Sequence, residues 1–310
     1  MVMNHEKLDP VHHVQTRSGM TANELLLEMK ASGVMAGGAL AKSADVLESM
    51  IRDADCVKFV GVAGAMIPGG MRQVLVDMVD DGWMDVFVTT GAMLTHDLVE
   101  GLGFHHYQGN AFADDSQLNE LGYDRMWDSY MPNQAYVELE QFCKKAFAEL
   151  PMRALPIREF LFELGKQSPK GTLMRACADK KIPLFCPAIA DSGLGLQTIS
   201  HLERQVLAFE DLKEIMDLAW QAKKKGVFYV GGGTPKNYIQ QAMQFAPKPA
   251  DYAVQITIDR PEAGGSSGAE LREGISWGKL NPKGSFVNVY ADATICLPLL
   301  SAALKERLKV

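Results

Sequence analysis

The sequence predicts an α/β protein, a mostly parallel sheet with helices on both faces. Three observations lead there. Short apolar runs rich in strand-forming residues alternate with longer amphipathic stretches, the signature of crossover βαβ units. Most of these runs are bounded by Gly, Pro, Asp or Asn, which punctuate strands. No internal repeat or low-complexity linker interrupts the alternation, so one domain is the economical reading.

In chain order, Thr21 and Glu24 have capping-box spacing and open a helix over 22–31. An amphipathic stretch over 40–52 follows, then the apolar run 56–62 as the first strand. Helix 70–80, strand 85–89 and helix 94–102 continue the alternation. Helices over 134–149, 157–166 and 172–179 precede strand 182–185. Helix 211–225, strand 227–230, helix 235–245 and strand 252–258 come next. There Thr234 is placed to cap a helix whose first turn Pro235 suits. Strand 286–290 and helix 297–308 complete the series. Residues 1–40 read as an N-terminal extension and 41–310 as a single domain.

Composition narrows the function. The 310 residues are 47% hydrophobic and 22% charged, with a net charge of −7. No basic run exceeds Lys223-Lys224-Lys225, which argues against a nucleic-acid surface. The five cysteines lack CxxC spacing and sit in apolar segments, so reduced buried thiols and a cytoplasmic location are expected. Met1–Arg17 lacks the apolar core of a signal peptide, and no apolar stretch is long enough to span a bilayer. The histidines show no HxH or HExxH spacing, so no catalytic metal is expected.

Four strand-then-loop segments are rich in small residues: Gly61–Gly70, Thr89–Ala92, Pro187–Gly193 and Gly231–Pro235. In open parallel sheets such turns lie at the carboxyl ends of strands, where backbone N–H groups can approach a phosphate. None matches the strict dinucleotide or P-loop fingerprint. Four together point towards a nucleotide or dinucleotide site.

Ser276-Trp277-Gly278-Lys279 follows the Gly/Ser-rich run Ala263–Gly268. An amine is a useful nucleophile at neutral pH only if desolvation or a neighbouring cation lowers its pKa. A tryptophan wall beside a flexible loop can build such a slot for Lys279.

Together these segments resemble the deoxyhypusine synthase family from about Gly19 to Leu300. The shared elements include Val88-Thr89-Thr90, Met131-Pro132-Asn133, Cys186-Pro187-Ala188 with Asp191, and Gly231-Gly232-Gly233. Ala250–Val254, Ser276–Lys279 and Val289–Ala293 continue the match in order and spacing. The resemblance implies a Rossmann-like, NAD-binding subunit that forms homotetramers with active sites at subunit interfaces. It also implies transfer of an aminobutyl group from spermidine, through an imine on Lys279, to an acceptor amine. The acceptor in this lineage is a protein lysine or, in homospermidine synthases, putrescine. Cofactor contacts carry over to Gly64, Ala65, Met66, Ile67 and Pro68, to Thr90, Gly91 and Ala92, and to Asp191 and Gly232. Ile258, Asp259, Asp292 and Ala293 complete that set. Substrate contacts carry over to Gly264, Gly265, Ser266, Glu273, Trp277 and Asn237.

The polyamine half departs from the family. Thr95 and His96 stand where the family has two glutamates, and Leu196, Ala263 and Ser266 stand where it has aspartates. Asn237 replaces a histidine that follows the triple-glycine turn, and His96 is the candidate to take over as acid or base. Glu273, Trp277 and Lys279 remain. Each lost carboxylate removes a charge-assisted contact of roughly 1.5–3 kcal/mol. The sequence therefore reads as an NAD-dependent transferase whose amine donor or acceptor has changed. A homospermidine synthase-type activity and a catalytically silent NAD-binding paralogue are the alternatives, and the retained lysine motif argues against the silent one.

Overall fold

The computed structural model describes residues 8–310, so the first seven residues of the expected extension lie outside it. Its main sheet has six strands, all paired in parallel: β1 Cys56–Val62, β2 Val86–Val88, β3 Leu184–Phe185, β4 Lys224–Val230, β5 Ala250–Thr257 and β6 Leu280–Tyr290. Their spatial order is β6-β5-β4-β1-β2-β3. Two consecutive three-strand halves therefore wind outward in opposite directions from the β1–β4 pair. At such a reversal the chain leaves β1 and β4 on opposite sides of a crevice, where α/β proteins bind ligands.

Alternate residues of the strands feed two cores. Val60, Val62 and Phe87 join Leu47, Met50, Leu75 and Leu300 on one face. Phe59, Val86, Val88 and Tyr229 join Ile215, Ala219, Ile239 and Met243 on the other. Burial on both faces explains the unbroken apolar runs, and each fully buried large side chain contributes about 1.5–3 kcal/mol.

All six anticipated strands are present, and several boundaries differ. The helix expected over 211–225 is Ala208–Gln221, and β4 already begins at Lys224. Lys225 is buried as a strand residue because its ammonium reaches the Ala219 carbonyl at 3.1 Å. The last helix begins at Ala293 rather than 297, capped by Asp292, and it carries Pro298 inside it. The Gly193–His201 helix went unrecognised because Gly193 and Gly195 disguise a helix that Ser192 caps. A three-stranded antiparallel sheet (Tyr107–Gln108, Tyr123–Met126, Ser129–Pro132) was also missed, as was the parallel pair Leu155–Pro156 with Val206–Leu207.

The boundary expected at residue 40 falls inside the Met35–Arg52 helix. The Ala22–Ser32 helix carries the Thr21–Glu24 capping box and buries Leu26 fully. Arg307 near the C-terminus donates to Asn23 at 2.6 Å and to Asp45 at 2.9 Å, which ties this helix to the body. Residues 8–19 are exposed. Among the described residues no helix is long and apolar enough to cross a membrane.

Candidate active site

The crevice at the β1–β4 reversal holds a cleft of about 300 Å³. Its walls come from the carboxyl ends of four strands: Gly64 and Met66 after β1, Gly231–Gly233 after β4, Ile258 and Asp259 after β5, and Ala291–Ala293 after β6. Gly231 turns the chain with φ +71°, a conformation that favours glycine. The Gly233–Phe245 helix starts here without a side-chain cap, and Pro235 in its first turn has no N–H to offer. The Gly233 N–H donates to Ser267 Oγ at 2.7 Å and the Lys236 N–H to the Gly232 carbonyl at 3.4 Å, which leaves the Thr234 N–H for a ligand.

A second cleft, of about 450 Å³, lies beside the first. Glu273, Trp277 and Lys279 line one side of it and the Gly233–Phe245 helix the other. The short helix Glu273–Ser276 ends at Trp277, and Gly278 takes φ +70° to turn the chain back. The Lys279 N–H then donates to the Gly274 carbonyl at 2.8 Å, which fixes the root of the side chain. Lys279 Nζ sits 5.0 Å from the centroid of the Trp277 ring. Burial holds this amine below the ordinary lysine pKa, while the Glu273 carboxylate pulls the other way.

One thin wall, Ser266–Ala269, separates the clefts. Ser266 and Ala269 face the lysine side and Ser267 the glycine side. Behind it Gln255 of β5 donates to the Gly231 carbonyl at 3.1 Å and to the Ser267 carbonyl at 2.8 Å. Lys236, which is 1% exposed, donates to Gln255 Oε1 at 2.9 Å and to the Ala269 carbonyl at 2.6 Å.

Of the expected cofactor residues, Gly64, Met66, Gly232, Ile258, Asp259, Asp292 and Ala293 come together in the glycine cleft. Ala65, Ile67 and Pro68, on the same loop, do not line it; Ile67 is buried, and Pro68 lines a separate cleft with His106. Thr90, Gly91, Ala92 and Asp191 follow β2 and β3, on the other half of the carboxyl edge, and do not line it either. Thr90 caps the Gly91–Gly101 helix. Among expected substrate residues, Gly264, Ser266, Glu273, Trp277 and Asn237 line the lysine cleft, with Gly265 in open space between two of them.

His96 is not brought to that cleft. Its Nδ1 lies 3.0 Å from Nε2 of His106, whose Nδ1 is 2.7 Å from Glu100. Burial, reinforced by His106, pushes the His96 pKa down to about 4, so the ring is neutral at pH 7. The expected replacement of the missing histidine is therefore not made within one chain. The five cysteines are free and buried, and burial raises their thiol pKa values.

Sequence reasoning missed two features. One is Lys236, whose burial only the tertiary structure shows. The other is an amide stripe: Asn237, Gln240, Gln241 and Gln244 line the lysine cleft together. Their spacing of i, i+3, i+4 and i+7 on one helix was the available signal, hidden because it reads as an ordinary solvated face.

A family model described as deoxyhypusine synthase matches residues 24–304. The probable deoxyhypusine synthase 1 of Methanosarcina acetivorans is 43% identical over 303 residues, covering 96% of this chain and 95% of that protein. The probable deoxyhypusine synthase 1 of Archaeoglobus fulgidus is 40% identical over 295 residues, covering 94% and 97%. A crystal structure assigned as a deoxyhypusine synthase from Entamoeba histolytica superposes with a TM-score of 0.64 at 18% identity, covering 92% of this chain and 93% of that one. At that identity the last likeness is one of fold.

Proposed function

Since the chain belongs to the deoxyhypusine synthase family, we propose that it is an NAD-dependent transferase that moves an aminobutyl or related alkylamine group through an imine on Lys279. The observation that carries this reading is the Lys279 amine against the Trp277 ring, one thin wall away from the glycine cleft.

Features of the glycine cleft support part of a dinucleotide binding there. At Gly232 a Cβ would meet Ser267 Cα at 2.4 Å, so backbone rather than side chain faces the ligand there. The uncapped helix start at Gly233 suits a pyrophosphate, and Asp259 and Asp292 offer carboxylates to ribose hydroxyls. Bound there, NAD would supply reversible hydride acceptance from an amine carbon.

The chain's own residues do the rest. The unprotonated Lys279 amine adds to the C=N carbon of an oxidised donor. The nitrogen of that C=N departs as an amine carrying both N–H hydrogens of Lys279, and the carbon chain remains on Nζ as a new imine. The Trp277 ring covers one side of the amine and hinders the approach of water to the imine. Glu273 pairs with the ammonium that remains on the transferred fragment.

The lining of the lysine cleft argues for a changed donor. It has two carboxylates, Glu270 and Glu273, and Glu270 is already paired with Arg272. The four amides hydrogen-bond without charge. This set suits one distal ammonium better than a triamine, so the favoured donor is diamine-like, with putrescine or a protein lysine as acceptor. Exposed Trp277 at one cleft and exposed Ile258 at the other support placing the clefts at subunit contacts of a homotetramer. The reading is tested by following amine-dependent NADH formation with a panel of mono-, di- and triamines, with and without a protein acceptor. Activity with any primary amine supports it; none, with NAD bound, leaves the silent NAD-binding alternative.

A further inference from the structure

The transfer as described leaves one row of side chains in the lysine cleft idle. Asn237, Gln240, Gln241 and Gln244 line that cleft from one face of the Gly233–Phe245 helix. None of the four amides has a side-chain hydrogen-bond partner among the described residues. In the wall of the same cleft the Ser266 hydroxyl is buried and also unpartnered. Of the two carboxylates, Glu270 is engaged by Arg272, and Glu273 has no ion-pair partner among the described residues. Each amide brings two N–H donors and one carbonyl acceptor, so the four present eight donors, two from each. A purely cationic ligand uses the carbonyls and can satisfy none of those donors. A carboxylate has the opposite need, since it only accepts. Glu273 offers what an ammonium requires and the amides offer what a carboxylate requires; the two together describe the head of an α-amino acid.

We propose that the donor for this cleft is an α,ω-diamino acid, its α-carboxylate on the amide stripe and Ser266, its α-ammonium on Glu273, and its ω-amine presented to Lys279. The inference rests on the imine reading for Lys279 and names the donor class for it. A plain diamine leaves the stripe hydrated, whereas an α-carboxylate replaces that water with charge-assisted hydrogen bonds. Amides suit such a head better than a lysine or arginine would. A cationic side chain would grip the carboxylate and repel both amines, while an amide donates to the first and accepts from the second. In the reaction the ω-CH2–NH2 is first oxidised to CH=NH, a hydride going to the NAD of that reading and a proton to solvent. Lys279 Nζ then bonds to the same carbon, and ammonia leaves with both Nζ hydrogens. The chain left on Nζ ends in the amino acid head, so the group passed to the acceptor carries a carboxylate.

The test compares ligands that differ only in the α-carboxylate: putrescine against ornithine, and cadaverine against lysine. Each is titrated calorimetrically into full-length protein with NAD present. At least one diamino acid should bind about tenfold or more tighter than its diamine. Gln241→Glu should reverse the order, weakening the diamino acid about tenfold and strengthening the diamine, because the new carboxylate repels one head and attracts the other. Opposite changes of this kind cannot come from a misfolded protein. Gln241→Leu combined with Gln244→Leu should weaken the diamino acid about tenfold and move the diamine by less than about twofold. Diamines that bind as tightly as both diamino acids, or Gln241→Glu moving the two classes alike, would overturn the proposal. The transferase reading is followed separately, by NADH formation with the same ligands. A diamino acid preference with no NADH formed would support the amino acid head site and count against the transferase; NADH from putrescine without the preference would count against the donor class alone.

Discussion

Gly232 and Ser267 touch through their backbones: a Cβ on Gly232 would lie 2.4 Å from Ser267 Cα. This contact joins the turn after β4 to the wall between the clefts, so the cofactor half and the lysine half share one seam.

Gly232→Ala must therefore push the wall away. The expected cost is about 1–3 kcal/mol of stability from overpacking, with NAD affinity lowered at least tenfold. Isothermal titration with NAD and thermal melts check this. Unchanged NAD binding in a folded Gly232→Ala protein would remove the seam from the account.

A carboxylate added to the amide stripe should restore affinity for a more cationic amine. Gln241→Glu is expected to strengthen binding of spermidine by about tenfold or more, since a charge-assisted hydrogen bond contributes about 1.5–3 kcal/mol. A monoamine should gain much less. Competition between the two amines in the NADH assay reads the difference.

Stability should depend on pH through Asp211. Its carboxylate is buried and accepts from the Arg158 N–H at 3.0 and 2.9 Å through its two oxygens. Burial raises its pKa to about 7, well above an unfolded aspartate near 4. A raised folded pKa means that the folded state binds the extra proton, so the contribution is full below about pH 4 and lost as pH rises to about 7. Asp211→Asn does not titrate. The wild-type melting temperature relative to Asp211→Asn should thus be higher at pH 5 than at pH 8, and a constant difference would contradict this.

Much of the fold was legible because β1, β4 and β5 are buried on both faces and so read as unbroken apolar runs. The start of β4 was not, because Lys224 and Lys225 look like the polar end of a helix until Lys225 is seen to reach Ala219. Glycines hid the Gly193–His201 helix in the same way, since the Ser192 cap decides what propensity alone does not. At the site, the Trp277–Lys279 pair carried its own signal. Lys236 carried none, because nothing local distinguishes a buried lysine from a solvated one. That His96 pairs with His106 outside the lysine cleft of its own chain was not legible, because His106 comes from the loop beyond the His96 helix.

The central claim is that Lys279 carries the transferred group. Protein incubated with NAD and a diamine or spermidine, then reduced with borohydride, should show an aminoalkyl adduct on Lys279 by peptide mass spectrometry. Lys279→Ala should lose the adduct while keeping its melting temperature and NAD affinity, because the side chain is partly exposed and faces the other cleft. An adduct on another lysine, or none on a wild-type protein that binds NAD, would contradict the account.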